Sequence, residues 1–199
     1  MHSALHTLGW LACVVYSTIP AFWLLIHTRI DYWRSRPRSP YRVLVPVWVC
    51  TWVLVALITS PWRTAHLYQN PWTWLPAAAL FALGMWLYAK SGAGFSPKQL
   101  GGLPEVQAGH PEQRLVTTGV RAHIRHPVYL AHLCEMLAWS VGTGLAVCYA
   151  LAAVTAVTGA IMIRKEDVEL AQRFGEPFAA YEKSVPAVVP KLAEPHSRL

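Results

Sequence analysis

The sequence predicts an all-α fold, a polytopic bundle of about five transmembrane helices. Three observations predict it: 54% of the 199 residues are hydrophobic, only 14% are charged, and the apolar residues fall in long runs. Crossing the hydrocarbon core of a bilayer takes roughly 20 apolar residues, with a range of about 17 to 25. A soluble domain has a lower apolar fraction, so we expect an integral membrane protein.

Three apolar runs predict the first three spans, and they cover residues 8–26, 43–60 and 74–89. Pro20 lies inside the first run, where neighbouring helices can restore the hydrogen bonding that a proline interrupts. No Lys or Arg precedes Leu8, so this run lacks the charged region of a cleaved signal peptide. We therefore expect the first run to remain in the protein as a span.

The apolar region 128–163 is far longer than one crossing at about 1.5 Å per residue. It contains the sequence VGTG at positions 141–144, and two nearby glycines allow a tight turn between helices. The region is therefore expected to fold back on itself and to supply the fourth and fifth spans.

The basic residues predict the orientation in the membrane. All Lys and Arg except Arg63 fall in three segments that the predicted spans place on one side, namely 29–42, 90–125 and the tail from 164. Cytoplasmic loops carry such an excess of positive charge. We expect the N-terminus outside and the C-terminus in the cytoplasm, across the inner membrane if the protein is bacterial. The net charge of +7 then reflects topology, and the expected partner is the lipid bilayer, with no nucleic acid.

The chain divides at the third span into N-terminal helices, residues 1–73, and a core, residues 74–199. The loop 91–118 is rich in Gly and Pro and long for a connector. Loops of this length are often functional, although a flexible linker fits the composition equally well.

One polar cluster is the turn that ends in RHPVY, Arg125 to Tyr129. Pro127 suits the first turn of a helix, because its missing N–H has no partner there. His126 then precedes the helix and Tyr129 lies one turn inside it. Backbone N–H groups at a helix start favour an anionic group such as a carboxylate. For an isolated RHP, simple interfacial anchoring of Arg125 and His126 is the favoured interpretation.

A second polar cluster follows the last predicted span, in the sequence IRKEDVELAQRFGEPFAAYEKSVP, 163–186. Glu166 and Glu169 are three residues apart, so one acidic edge of this helix can face back toward the bundle. A solvated helix with local ion pairs is the alternative for the segment by itself. The two clusters together, separated by a helical hairpin, form a more specific pattern.

Other polar residues are weaker candidates. His132 and Glu135 lie three residues apart inside a predicted span, and we expect them to make a paired polar contact in the bundle interior. A metal site needs further ligands at the same depth, and the four cysteines have no CxxC spacing. No metal is therefore expected.

The C-terminal half resembles the isoprenylcysteine carboxyl methyltransferases and their bacterial relatives, which share a motif with phospholipid N-methyltransferases. The resemblance rests on TTGVRAHIRHPVY, the acid pair Glu166 and Asp167, RFG ending at Gly175, Tyr181, and VPAVVP, 185–190. Val120 and Arg121 stand where the family often has Pro-Tyr.

The resemblance implies a cytoplasmic pocket for S-adenosylmethionine in the C-terminal half of the chain. It implies cofactor contacts from Gly119, Val120, His126, Tyr129, Glu166 and Asp167. Arg125 or Arg164 would orient a carboxylate acceptor, and Glu166 would act as the base for an amine acceptor. The expected activity is methyl transfer to a lipophilic, for example prenylated, carboxylate. The alternatives are phospholipid or other amine N-methylation and a non-catalytic membrane scaffold.

Overall fold

The computed structural model describes residues 2–35, 39–92 and 114–189. Its helices are α1 His2–His27, α2 Ile30–Arg34, α3 Tyr41–Thr59, α4 Trp74–Gly92, α5 Pro127–Thr143, α6 Ala146–Phe174 and α7 Glu176–Ser184. Within these ranges the only extended pairing is an isolated bridge between His66 and Leu145. The predicted fold class, an all-α polytopic helical bundle, is therefore confirmed. The predicted loop 91–118 falls mostly outside the described residues, and the division into two domains stays a prediction.

In the part of the chain that the structure describes, four segments are long and apolar enough to cross a membrane: Ala4–His27, Tyr41–Trp62, Pro71–Gly92 and Ala146–Phe174. The first three match the first three predicted spans. The last belongs to the predicted hairpin, whose other arm, α5, has 17 residues. That length is at the lower end of what crosses a hydrocarbon core.

The predicted reversal of the hairpin lies where the glycine pair placed it. α5 ends at Thr143, Gly144 adopts a left-handed conformation with φ of 67°, and α6 begins at Ala146. The segment after α3 fixes this turn, because Leu67 N–H donates to the Gly144 carbonyl and Ala146 N–H donates to the Ala65 carbonyl. A side chain at position 144 would also clash with the backbone of Tyr68. Glycine is therefore required there for both conformation and space.

The core lies between α1, α5 and α6. Trp10, Cys13 and Val14 of α1 pack against Met136 and Cys148. By contrast, α3 exposes most of its side chains, as is typical of a helix whose surface faces lipid, and Cys50 on α3 is exposed.

The charged end of α6 extends the bundle beyond its apolar centre. This helix has 29 residues and is about 43 Å long at 1.5 Å per residue. Gly175 ends it with φ of 60°, and α7 then turns back. The chain after α7 runs alongside the start of α5, where Arg125 N–H donates to the Pro186 carbonyl and His126 N–H to the Ala187 carbonyl, both at 2.9 Å. The RHP turn and the chain that follows α7 are thereby joined.

Candidate functional site

A cavity of about 440 Å³ lies at the end of the bundle where α1 ends and α5 begins. That volume is in the usual range for a site that holds a small organic molecule. The N-terminal helices contribute to it, α1 through Trp23 and His27, α3 through Trp48 and α4 through Ser91. The C-terminal half adds Arg121, Arg125, His126, Tyr129, Glu166, Arg173, Phe174, Phe178 and Tyr181.

Arg125 holds one wall of the cavity together. Its Nη2 donates to Asp167 Oδ2 at 2.7 Å and lies 3.3 Å from Glu182 Oε1, while its Nη1 donates to the carbonyls of Glu182 and Val185. Its side chain is 9% exposed, against 46% for Glu182. One guanidinium therefore connects α6, α7 and the following chain from a buried position.

His126 lies beside Arg125 and shares its carboxylate. His126 Nε2 is 2.7 Å from Asp167 Oδ1, and its Nδ1 is 3.4 Å from Glu166 Oε2. Burial by itself lowers the pKa of an imidazole, but the Glu166 and Asp167 carboxylates outweigh it and raise the pKa of His126 to about 9. His126 is thus a cation at neutral pH, with both ring nitrogens directed at carboxylates.

Arg121 supplies a second guanidinium at the cavity. Its Nη1 donates to the Arg125 carbonyl at 2.9 Å, and Tyr181 Oη donates to the Arg121 carbonyl at 2.6 Å. Burial lowers the pKa of Arg121, while the negative charge of Glu166 acts in the opposite direction. A guanidinium remains protonated under these conditions, so Arg121 adds a half-buried positive charge.

The end of α1 reaches the same wall through an ion pair. His27 contacts Glu169, and Glu169 also pairs with Arg173 one turn further along α6. The expectation that an acidic edge of this helix faces the bundle is met, because Glu166 lines the cavity and Glu169 contacts α1. The contribution of α1 was missed from sequence, although His27 at the end of an apolar run was a signal for it.

The described lining of the cavity combines cationic and aromatic side chains, and the two kinds lie next to each other, as Arg173 does to Phe174 and His126 to Tyr129. Its charged members are Arg114, Arg121, Arg125, Arg173 and Glu166, to which protonated His126 adds a further positive charge. Trp23, Trp48, Tyr129, Phe174 and Phe178 supply aromatic surface. Such a site suits a molecule with an anionic group and an apolar body.

The predicted site residues separate into two groups. Arg125, His126, Tyr129 and Glu166 line the cavity, and Asp167 lies directly behind them. Arg164 is exposed on α6, and neither it nor Gly119 nor Val120 is among the lining residues.

The predicted anion site of backbone amides at the start of α5 is occupied by protein groups. The Arg125 and His126 amides donate to Pro186 and Ala187, and the Tyr129 amide donates to the His126 carbonyl. The arginine side chains, rather than these amides, therefore offer the donors for an anion.

The predicted contact between His132 and Glu135 is also replaced by other interactions. His132 Nδ1 bonds to the Val128 carbonyl at 2.7 Å, and buried Glu135 packs against Gly84 of α4. Across residues 2–35, 39–92 and 114–189 there is no group of three or more His, Cys, Asp or Glu side chains that could hold a metal ion.

Comparison with known proteins gives two relatives. The cobalt-zinc-cadmium resistance protein CzcN of Cupriavidus metallidurans is 38% identical over 87 residues, which are 43% of this chain and 40% of CzcN. The nickel-cobalt-cadmium resistance protein NccN of Alcaligenes xylosoxydans xylosoxydans is 33% identical over 174 residues, 82% of this chain and 70% of NccN. The chain belongs to the NccN family. No family model and no solved structure matches it.

Membership of the NccN family corrects the functional prediction. The assignment to isoprenylcysteine carboxyl methyltransferases, and with it the methyltransferase activity, is wrong, because these relatives are named as metal resistance proteins. The physical reason lies in the motif itself. Arg125 and His126 both bond to Asp167, and Arg125 also bonds to Glu182 of α7, so the spacing of these residues is accounted for by a structural network. The expectation that no metal is involved also conflicts with the names of the relatives.

Proposed function

We propose that this protein is a membrane component of resistance to divalent transition metals, and that its working site is the cavity. The membership of the NccN family supports the resistance role. The cavity supports a specific contribution to it, the binding of an amphipathic organic anion. The observation that carries this part is the excess of arginine over carboxylate in a lining whose other residues are mostly aromatic and aliphatic.

The paired state of the carboxylates argues against a bare divalent cation in the cavity. Asp167 is bonded to Arg125 and His126, and Glu169 is bonded to His27 and Arg173. A metal ion would have to displace these cations and would still face the remaining arginines. Metal affinity requires the opposite arrangement, with ligands that are deprotonated and available.

The side chains that line the cavity are chemically complementary to an organic anion. Guanidinium groups recognise carboxylate and phosphate oxygens through directed, charge-assisted hydrogen bonds. The aromatic side chains in the same lining can bury the apolar part of the ligand. S-adenosylmethionine, the ligand expected from sequence, stays a proposal: its carboxylate and flat adenine ring match the lining, whereas its ammonium and sulfonium groups make it a cation overall, so a ligand of net negative charge is the better match.

Growth of the source strain on metal salts tests the proposal. Deletion of the gene is expected to lower the inhibitory concentration of at least one of cobalt, zinc, nickel and cadmium. Arg121→Gln is expected to have the same effect, because loss of a charge-assisted hydrogen bond weakens ligand binding by about 10- to 100-fold.

Arg164→Gln is the matched control, since Arg164 is exposed outside the cavity lining and its loss removes the same charge. It should grow like the wild type, and Arg121→Lys should restore part of the resistance. Membrane content and melting temperature of each variant separate loss of ligand from loss of fold. A deletion without effect on any of these metals contradicts the resistance role, and a fully resistant, folded Arg121→Gln strain contradicts the role of the cavity.

The proposed orientation places the cavity end in the cytoplasm and the turn between α5 and α6 outside. It rests on the segregation of all Lys and Arg except Arg63. In a Cys50→Ser background, Gln69→Cys should react with a membrane-impermeant maleimide added to intact cells, and Lys183→Cys should react only after lysis. Both positions are exposed. Labelling of position 183 from outside contradicts the orientation.

A further inference from the structure

Two histidines approach each other at the end of the bundle opposite the cavity. His6 lies in the second turn of α1, and His66 lies in the segment between α3 and α4. His66 Nε2 and His6 Nδ1 are 3.2 Å apart, and the two rings are tilted by 59° with their centroids 4.7 Å apart. The cavity begins at Ile19, so about 20 Å of α1 separates it from His6.

The His66 ring is held in one orientation. Its Nδ1 is 2.7 Å from the Thr64 carbonyl, an oxygen that can only accept a hydrogen bond. Nδ1 must therefore carry the proton, so Nε2 is the acceptor of the hydrogen bond that His6 Nδ1 donates at 3.2 Å, and an ion bound by both nitrogens takes the place of the His6 Nδ1 proton. A histidine that donates one ring N–H to a backbone carbonyl while the other nitrogen is unprotonated has the arrangement found in metal ligands.

The backbone around His66 is fixed as well. His66 forms a bridge with Leu145, and the flanking residues Ala65 and Leu67 are hydrogen bonded to Ala146 and Gly144 of the hairpin turn. The helix that carries His6 is bonded to the helix that precedes His66. Trp10 of α1 donates its indole N–H to Thr59 Oγ1 at the end of α3, at 3.0 Å. The two imidazoles are thus carried by elements that are already bonded to each other.

We infer that His6 and His66 form a two-histidine site for a divalent transition-metal ion. With bonds of about 2.1 Å, two nitrogens 3.2 Å apart subtend an angle of about 100° at a shared ion, close to tetrahedral and octahedral values. Imidazole nitrogen suits Zn²⁺, Ni²⁺ and related ions and does not suit Mg²⁺. Water completes the coordination sphere, since the described residues hold no group of three such ligands. This site goes beyond the proposed anion cavity and does not depend on it.

Titration of tag-free protein in lipid nanodiscs with NiCl₂ tests the site by calorimetry. The wild type is expected to bind one Ni²⁺ per chain, and MgCl₂ is expected to give no signal. His66→Asn retains an amide that can donate to Thr64 but removes the ligand nitrogen, and it should weaken Ni²⁺ binding by about 100-fold. His6→Ala should weaken Ni²⁺ binding to the same extent. The double variant should bind Ni²⁺ only slightly more weakly than either single variant, because one remaining imidazole is already a poor site.

His123→Ala is the matched control, because His123 is exposed near the cavity end of the bundle. Its affinity for Ni²⁺ should equal that of the wild type, and so should that of Arg121→Gln, which separates this site from the cavity. Unchanged Ni²⁺ binding in His66→Asn or in His6→Ala overturns the inference, as does an equal loss in His123→Ala.

Discussion

Replacing Asp167 by Asn is expected to lower the free energy of unfolding by about 3 to 5 kcal/mol, because it leaves two buried cations without their shared carboxylate. Asp167 accepts hydrogen bonds from Arg125 and His126, both at 2.7 Å. Their side chains are 9% and 4% exposed, so water cannot replace the lost partner. In Asn, an NH₂ group replaces one of the two carboxylate oxygens. This donor would face the N–H donors of Arg125 or His126. Thermal or detergent-induced unfolding followed by circular dichroism measures the loss.

Glu182→Gln provides the control on the same guanidinium. Glu182 Oε1 is 3.3 Å from Arg125 Nη2, but its side chain is 46% exposed. Exposed ion pairs contribute about 0 to 1 kcal/mol, so this variant should unfold almost like the wild type. If the two variants lose the same stability, the buried network around Arg125 does not have the structural role assigned to it.

Stability is expected to fall as the pH rises from about 6.5 to about 9, through the deprotonation of His126. Its pKa in the folded protein, about 9, is above the ordinary value of 6.5. A raised folded pKa contributes stability that is present in full below the unfolded pKa and is lost as the pH rises through the folded pKa. The difference between the two pKa values corresponds to about 3 kcal/mol.

The measurement is the melting temperature across this pH range in wild type, His126→Gln and His123→Gln. The difference in melting temperature between wild type and His126→Gln should become smaller as the pH rises. At high pH the wild-type imidazole is neutral and no longer carries the charge that the variant lacks. His123 is exposed, so His123→Gln should follow the wild type throughout. A gap that is constant with pH would mean that His126 is neutral in the fold.

Much of the architecture follows from local sequence. The length of the apolar runs predicted the first three spans, and the glycines near position 144 predicted the hairpin. Both predictions succeeded because a span and a tight turn are determined by residues close together in the sequence. The partners of Arg125 could not be predicted in the same way. Asp167 and Glu182 are 42 and 57 residues away, and which carboxylate reaches the guanidinium depends on how α6 and α7 pack.

The functional prediction failed for a related reason. A pattern of Arg, His, Pro and paired acids records that these residues lie together, but it does not say whether they bind a ligand or each other. In the fold, Arg125 and Asp167 largely satisfy one another, whereas Arg121 and Arg173, which lie within the motif but were given no role in it, line the cavity. The contributions of Trp23, His27 and Trp48 depended on tertiary packing of spans whose sequence showed only apolar character.

Native mass spectrometry of the protein released from lipid nanodiscs measures directly what the cavity holds. The protein is incubated with the small-molecule fraction of a cell extract to which S-adenosylmethionine is added, and it is analysed beside Arg121→Gln and Arg164→Gln. An organic anion bound to wild type and Arg164→Gln, and absent from Arg121→Gln, is the expected result. Two results would contradict the assignment of the cavity to an amphipathic anion. One is a divalent metal ion, and no organic ligand, bound to the His66→Asn protein. The other is the same amount of bound ligand in all variants.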